Sequence, residues 1–284
     1  MQPFNYFKVI FTLFVFSCSV FAQSPSIQFT QKWETEPVLK VPESVIYDTK
    51  NKVLYVSNIN GKPADRDTNG FISVLNIDGK IQNLNWVKGL HAPKGMGIFN
   101  NKLYVSDLTE VVIIDIAKGV IESKISITGA AFLNDISIDE KGNVYITDTG
   151  LAKIYMYDGK TAQVFVEGLP FMKPNGALAR KNDLLILDME TRNIYSVDYK
   201  SKKINSIGKG IPSGDGLAAI SDSEWFASNW FGEIFFVKDG NSELVKSTIK
   251  ENKSSADIWV IGDQNLLFVP TFFANTVICY TFKK

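Results

Sequence analysis

One short pattern recurs six times along this 284-residue chain: a polar residue heads an apolar, alternating segment. Glu43-Ser44 opens Val45-Ile46-Tyr47, Lys94-Gly95 opens Met96-Gly97-Ile98, and Asn134-Asp135 opens Ile136-Ser137-Ile138. Asn175-Gly176, Asp215-Gly216 and Asp257 do the same for Ala177-Leu178-Ala179, Leu217-Ala218-Ala219 and Ile258-Trp259-Val260. The intervals are 51, 40, 41, 40 and 42 residues. A second series, Asn58, Asp107, Asp148, Asp188, Asn229 and Thr271, follows 13 to 15 residues after the first, each member at the end of a second apolar run. A third run and a more polar fourth one complete each unit. Alternating runs rich in Val, Ile, Tyr and Phe, broken by Gly, Asn and Asp turns, are β-strands. Four antiparallel strands per unit of about 40 residues make one propeller blade.

The expected fold is therefore all-β, a six-bladed β-propeller over residues 23–284. The last unit has three strands before the chain ends, so the segment Ile27 to Trp33 is expected to supply its fourth, outer strand and close the ring. Closure of this kind removes an exposed sheet edge. The first unit is longer by about ten residues, and the surplus, Asn60 to Gly70, reads as a polar loop between the second and third strands.

Residues 1–22 read differently. Lys8 precedes the apolar run Val9 to Phe16, and Ala22 offers a small residue for cleavage, as in a secretory signal. The run is too short to span a bilayer core of about 30 Å. The expectation is an exported protein, periplasmic or extracellular, with lipid attachment at Cys18 as the minor alternative. Of the 30 Lys and Arg, only Lys8 leaves with the signal, so 29 face 30 Asp and Glu. A charge so near zero gives no reason to expect nucleic acid or an anionic membrane as partner. Only Cys279 would remain, which leaves no intramolecular disulfide. The partner expected is a small molecule, and the state expected is a monomer.

In a propeller the innermost strands line the central channel, and their starts share one face with the loops that follow the second strands. The ring Glu43, Lys94, Asn134, Asn175, Asp215 and Asp257 is accordingly placed at the channel mouth. Carboxylates and amides are hard oxygen ligands that suit Ca²⁺. Zinc would want His or Cys, and His91 is the only histidine. The same residues also suit a channel of ordered water. The second-series aspartates read as acceptors for backbone N–H groups in turns. Phe132, Phe171, Trp230, Phe272 and Phe273 read either as an apolar rim or as packing between blades.

The motifs Pro42-Glu43, Leu133-Asn134-Asp135, Pro174-Asn175-Gly176 and Gly214-Asp215-Gly216 resemble those of the senescence marker protein/gluconolactonase/luciferin-regenerating enzyme family. They are similar also to those of the paraoxonases and diisopropyl fluorophosphatase. The resemblance covers the mature chain in blade spacing and four short motifs in residues. It implies a six-bladed propeller hydrolase with one divalent metal, Ca²⁺ or another hard cation, held by Glu43, Asn134, Asn175 and Asp215. It implies a lactone or related ester as substrate, with Asp215 also activating water. Lys94, by its place in the ring, is a candidate base or carbonyl-polarising donor, since burial and a nearby cation lower a lysine pKa; a structural pairing with Glu43 or Asp257 is the competing reading. Two departures stand out. Phe132 occupies the position where sugar-lactonase members carry Arg, and Lys94 stands where paraoxonases carry His. The alternative function is a non-catalytic ligand- or protein-binding propeller whose metal is structural.

Overall fold

A computed structural model describes residues 26–284; the signal segment and Cys18 lie outside the described residues. Six separate four-stranded antiparallel sheets stand in a ring, five of them with strands in the order of the chain from the axis outward. Blade 1 begins with the inner strand Pro42–Asp48, and blades 2 to 5 with Pro93–Phe99, Leu133–Ile138, Pro174–Ala179 and Gly214–Ser221. Blade 6 starts with Trp259–Ile261, and its outer strand is Gln28–Glu34, paired antiparallel to Val277–Lys283. The N-terminal strand thus closes the ring, as the missing fourth strand of the last unit requires. The loop of ten-odd residues also falls where the sequence puts it, between Val53–Asn58 and Gly70–Asn76. Among the described residues no helix is long and apolar enough to cross a membrane.

The hydrophobic core is divided among the blade interfaces. One cluster joins Ile46, Tyr55 and Ile72 of blade 1 to Met96, Leu103 and Val112 of blade 2. Others join blades 2 and 3, 3 and 4, and 4 and 5. Two more join 5 to 6 and 6 to 1. Each sheet buries both faces, one against each neighbour, which is why the second strands read as unbroken apolar runs.

Toward the axis the strands come so close that side chains become an obstacle. A Cβ on Gly95 would stand 2.5 Å from Asp135 Cα, one on Gly216 would stand 2.5 Å from the Ile258 nitrogen, and one on Gly176 would meet the Asp215 carbonyl oxygen. Asn175-Gly176 and Asp215-Gly216, ordinary turn pairs as dipeptides, therefore lie inside strands, and their glycines admit the next blade. In five blades the register slips at this point. Leu133 faces Asp148 and the next pairing is Ile136 with Ile146, so Asn134-Asp135 are bulged out of the ladder. The same slip follows Pro42, Pro93, Pro174 and Gly214. A bulge re-aims a side chain and frees backbone groups from the sheet.

Candidate active site

The freed backbone groups are satisfied by hydroxyls of the second strands. Thr147 Oγ1 accepts from Asp135 N at 2.9 Å and donates to the Asn175 carbonyl of the next blade at 2.7 Å. Ser228 Oγ accepts from Gly216 N at 2.8 Å and donates to Ala256 O at 2.6 Å. Ser106 donates to the Asn134 carbonyl, and Ser57 accepts from Ser44 N at 3.0 Å. In four blades a buried hydroxyl thus fixes the bulged backbone, and three of these hydroxyls also bond to the next blade. The second-series residues hold the loop just upstream, as expected of turn acceptors. Asp148 accepts from Ala131, Phe132, Gly150 and Leu151 N–H, and Asp188 from Met172, Lys173, Glu190 and Thr191 N–H.

A cavity of about 380 Å³ opens at this face of the channel. Glu43, Lys94, Asn134, Asn175 and Asp215, from five successive blades, all line it, and all are buried. Asp257 does not. It lines a larger cavity of about 550 Å³ together with Asp135 and the apolar inner-strand residues Ile46, Met96 and Ile258. The reason is depth along the strand. Asp257 pairs with Ser44 rather than Glu43, donates its N–H to Glu43 O at 2.9 Å, and accepts from Ser44 Oγ at 2.6 Å. Spacing along the chain counts residues, and blade 6 enters the ring one residue deeper. Asp135 sits at the same lower level, accepting from Ile136 N at 2.7 Å and Ala177 N at 2.6 Å.

Lys94 makes neither expected pairing. Its Nζ donates to Ala92 O at 2.9 Å and to Pro63 O, on the long loop, at 3.0 Å, and stands 4.5 Å from the centre of the Phe132 ring. Burial holds its ammonium down at about 8, against the opposing attraction of Glu43 and Asp107. The carboxylates shift the other way. Burial and then Asp257 push Asp215 up to about 8, despite the bond from Asn175. Burial pushes Asp257 up to about 7, and burial followed by Asp215 holds Glu43 well above the usual range. Burial followed by Asp257 does the same to Asp135. Four crowded carboxyls with one lysine turned toward carbonyls make a site deficient in positive charge.

The amides donate through nitrogen and keep their oxygens free. Asn134 Nδ2 donates to Thr149 Oγ1 at 3.1 Å and Asn175 Nδ2 to Asp215 Oδ1 at 3.1 Å, which leaves each Oδ1 as the free acceptor. Glu43 Oε2 is buried without any hydrogen-bond partner, a costly state for a carboxylate oxygen. These residues fit a hard divalent cation. Among the described residues no three His, Cys, Asp or Glu side chains group as a metal cluster, so such an ion would depend on the two amide oxygens.

The walls are apolar. Ile59, Pro63, Phe132, Met189, Trp230 and Phe272 complete the lining with Thr149, Lys173 and Ser213. Trp230 and Phe272 meet edge to face at 4.4 Å. Phe171 instead packs between blades against Tyr195, and Phe273 stands outside the lining. His91 is also outside it; its Nδ1 accepts from Thr68 N at 3.3 Å. Val41, Ser213 and Phe272 hold φ values of 53°, 49° and 49°, strained for side-chain-bearing residues, beside Glu43, beside Asp215 and in the wall. Ile59, Pro63, Thr149, Lys173, Met189 and Ser213 escape sequence reasoning. The Ser or Thr that precedes four second-series residues (Ser57, Ser106, Thr147, Ser228) is a repeat signal that marks the anchoring hydroxyls.

No protein-family model matches the chain, and no curated protein matches it in sequence. Among solved structures, a catalytically inactive histidine-to-alanine variant of virginiamycin B lyase from Staphylococcus aureus, with quinupristin, is similar at a TM-score of 0.63. The match covers 90% of this chain and 99% of that one at 12% identity. At that identity the likeness is one of fold, and it agrees with the six-bladed β-propeller described above.

Proposed function

We propose that the protein is a metal-dependent hydrolase of lactones or related esters. The observation that carries this reading is the convergence of Glu43, Asn134, Asn175 and Asp215 on one cavity, with Glu43 Oε2 lacking any partner. These four residues would hold a Ca²⁺-like ion, which supplies positive charge where the carbonyl oxygen of a substrate becomes an oxyanion. The chain's own groups do the rest. Ionised Asp215, kept in place by Asn175 Nδ2, accepts a proton from the attacking water. The water oxygen bonds to the carbonyl carbon, the carbon–oxygen bond of the ester breaks, and the leaving alkoxide takes up the proton that Asp215 received. Lys94, anchored at two carbonyls, presents its remaining N–H bond or lone pair to the cavity beside Phe132. The apolar walls exclude water from the oxyanion.

The structural neighbour is a lyase inactivated by loss of a histidine. Here the sole histidine lies outside the cavity lining, which favours a carboxylate as the proton acceptor over a histidine. A binding propeller with a structural ion is the second reading, favoured by the way Lys94 is fastened to Pro63 of the long loop. The two separate in one experiment. Wild-type protein is expected to hydrolyse members of a lactone and aryl-ester panel, to lose that activity in chelator and to regain it with Ca²⁺. Asp215→Ala and Asn175→Ala should each lower kcat/KM by about 100-fold or more, and should abolish thermal stabilisation by Ca²⁺. Stabilisation by Ca²⁺ without turnover of any panel member would leave the binding reading; unchanged behaviour of both variants would remove these residues from the site.

A further inference from the structure

The residues that follow the second-series positions form a third series. Ile59, Thr149, Met189 and Trp230 each donate a backbone N–H to the carbonyl two residues before the ring residue of their own blade: to Val41 at 3.1 Å, and to Phe132, Lys173 and Ser213 at 3.0 Å. Leu108 and Phe272 hold the same place in blades 2 and 6. Five of the six are apolar. Ile59, Leu108, Trp230 and Phe272 share one hydrophobic cluster, and Ile59, Met189, Trp230 and Phe272 form wall of the channel-mouth cavity. Thr149 also lines that cavity, and blade 3 alone places a hydroxyl at this position.

The exception has two partners. Thr149 Oγ1 donates its only hydrogen to Pro174 O of blade 4 at 2.7 Å and accepts from Asn134 Nδ2 at 3.1 Å. An amide has nearly the same shape at its oxygen and nitrogen ends, so packing alone does not choose between them. Here the choice is made by the hydroxyl. With its hydrogen committed to the Pro174 carbonyl, it turns only lone pairs toward Asn134, and only the NH₂ end can meet them. Asn134 Oδ1 is thereby left on the other side of the amide. The remaining ligands of the proposed cation site need no such help. Glu43 and Asp215 carry oxygen at both ends and stand in blades with Ile59 and Trp230 at the third-series position. Asn175 has Met189 there, but its Nδ2 is fixed by Asp215 Oδ1, and an ionised carboxylate only accepts. Asn134 is thus the one ligand that an apolar wall would leave without a fixed orientation, and it is the one given a threonine. Resting on the cation site proposed above, we infer that Thr149 is its positioning residue: it keeps the oxygen end of the Asn134 amide, and not the NH₂ end, available to the ion.

Calorimetric titration with Ca²⁺ tests this without any substrate. Thr149→Val keeps the shape and removes the hydroxyl, and should raise the Kd for Ca²⁺ by about 10- to 100-fold, the loss expected when the group that orients a metal ligand is removed. Thr149→Ser should restore binding, since only the hydroxyl is needed. The deciding comparison is made in the Asn134→Asp background. A carboxylate presents oxygen at either end, so there Thr149→Val should leave Kd almost unchanged, although the Pro174 carbonyl loses its donor in both backgrounds. An equal rise in the two backgrounds would assign the effect to that carbonyl and to blade 4, and would overturn the inference. So would a valine variant that binds Ca²⁺ as tightly as the wild type, which leaves the cation site itself standing. A wild-type protein that binds no Ca²⁺ would remove the site and the inference together. Cooperative melting in chelator shows that each variant is folded, and Thr149→Ala, for which the same loss is expected, takes the place of a valine variant that does not fold.

Discussion

The proposed function gives Asp215 two duties, cation ligand and proton acceptor, and its surroundings set the pH at which either is possible. In the cation-free protein it is pushed up to about 8 from an ordinary 3.8, with Asp257 at about 7 and Glu43 and Asp135 shifted in the same direction. Below about pH 4 these groups are protonated in both folded and unfolded chains, so their burial carries no penalty. As pH rises toward 8 the unfolded chain sheds its protons first, and the folded state loses stability. Lys94 acts in the next window. It titrates at about 8 in the folded chain against 10.5 ordinarily, so between those values the unfolded chain holds the extra proton and stability rises with pH. Melting temperature measured in chelator from pH 5 to 10 should therefore pass through a minimum near pH 8. Ca²⁺ should fill that minimum, by about 2.7 kcal/mol at one hundred times its Kd. Asp215→Asn should make it shallower, and a steady rise from pH 5 to 8 would contradict the crowding of carboxylates. Residue types singled out the six ring positions, because a polar side chain heading an apolar strand is conspicuous, and only the family resemblance narrowed them to Glu43, Asn134, Asn175 and Asp215. Residue types could not reveal that Lys94 donates to the Pro63 carbonyl, since backbone acceptors have no residue signature.

At the scale of the strand, the site depends on bulges held open by hydroxyls. Thr147 is fully buried in an otherwise apolar strand and bonds both to Asp135 N and to the Asn175 carbonyl. Thr147→Val keeps the shape and strands both partners, so a loss of about 3 kcal/mol in unfolding free energy is expected. Thr147→Ser should recover most of it, since only the hydroxyl is needed. The valine variant should also weaken Ca²⁺ stabilisation, because Asn175 is then free to shift; equal denaturation midpoints for the valine and serine variants would rule out this role. Such hydroxyls were hidden in the sequence by their apolar neighbours, although their place just before the second-series residue repeats in four blades. The depth of Asp257 was hidden for a different reason. An interval of 42 residues matches the other repeats, and nothing in a count of residues reports that blade 6 enters lower and pairs at Ser44.

The whole molecule was the most legible part. Six repeats of one pattern, a missing strand at one end and a spare strand at the other determine a closed ring, and the six interface clusters follow from it. Cohesion comes from those interfaces, since the one free cysteine among the described residues, Cys279, is buried and its thiol is pushed up to about 12 by that burial. What composition could not tell was which apolar side chains would face solvent: Phe272 and Phe273 are neighbours in sequence, one buried in the cavity wall and the other exposed at the rim.

Gln28 lies opposite Lys283 in the last sheet, so the two ends of the propeller are hydrogen-bonded neighbours. Where the chain starts is then a matter of connectivity and not of architecture. A short linker from Lys283 to Gln28, with new ends cut at the exposed turn Asp158-Gly159-Lys160, should yield a circular permutant with the same sheets and the same Ca²⁺ response. That permutant has its seam within blade 3 and a covalent joint in blade 6. In the natural order a ribosome must finish the final strand before the first can find its partner, and the residues between Glu34 and Val277 wait as an open arc. The permutant would make that joint early, so any difference in refolding rate between the two proteins measures the time the natural chain spends as an unclosed ring.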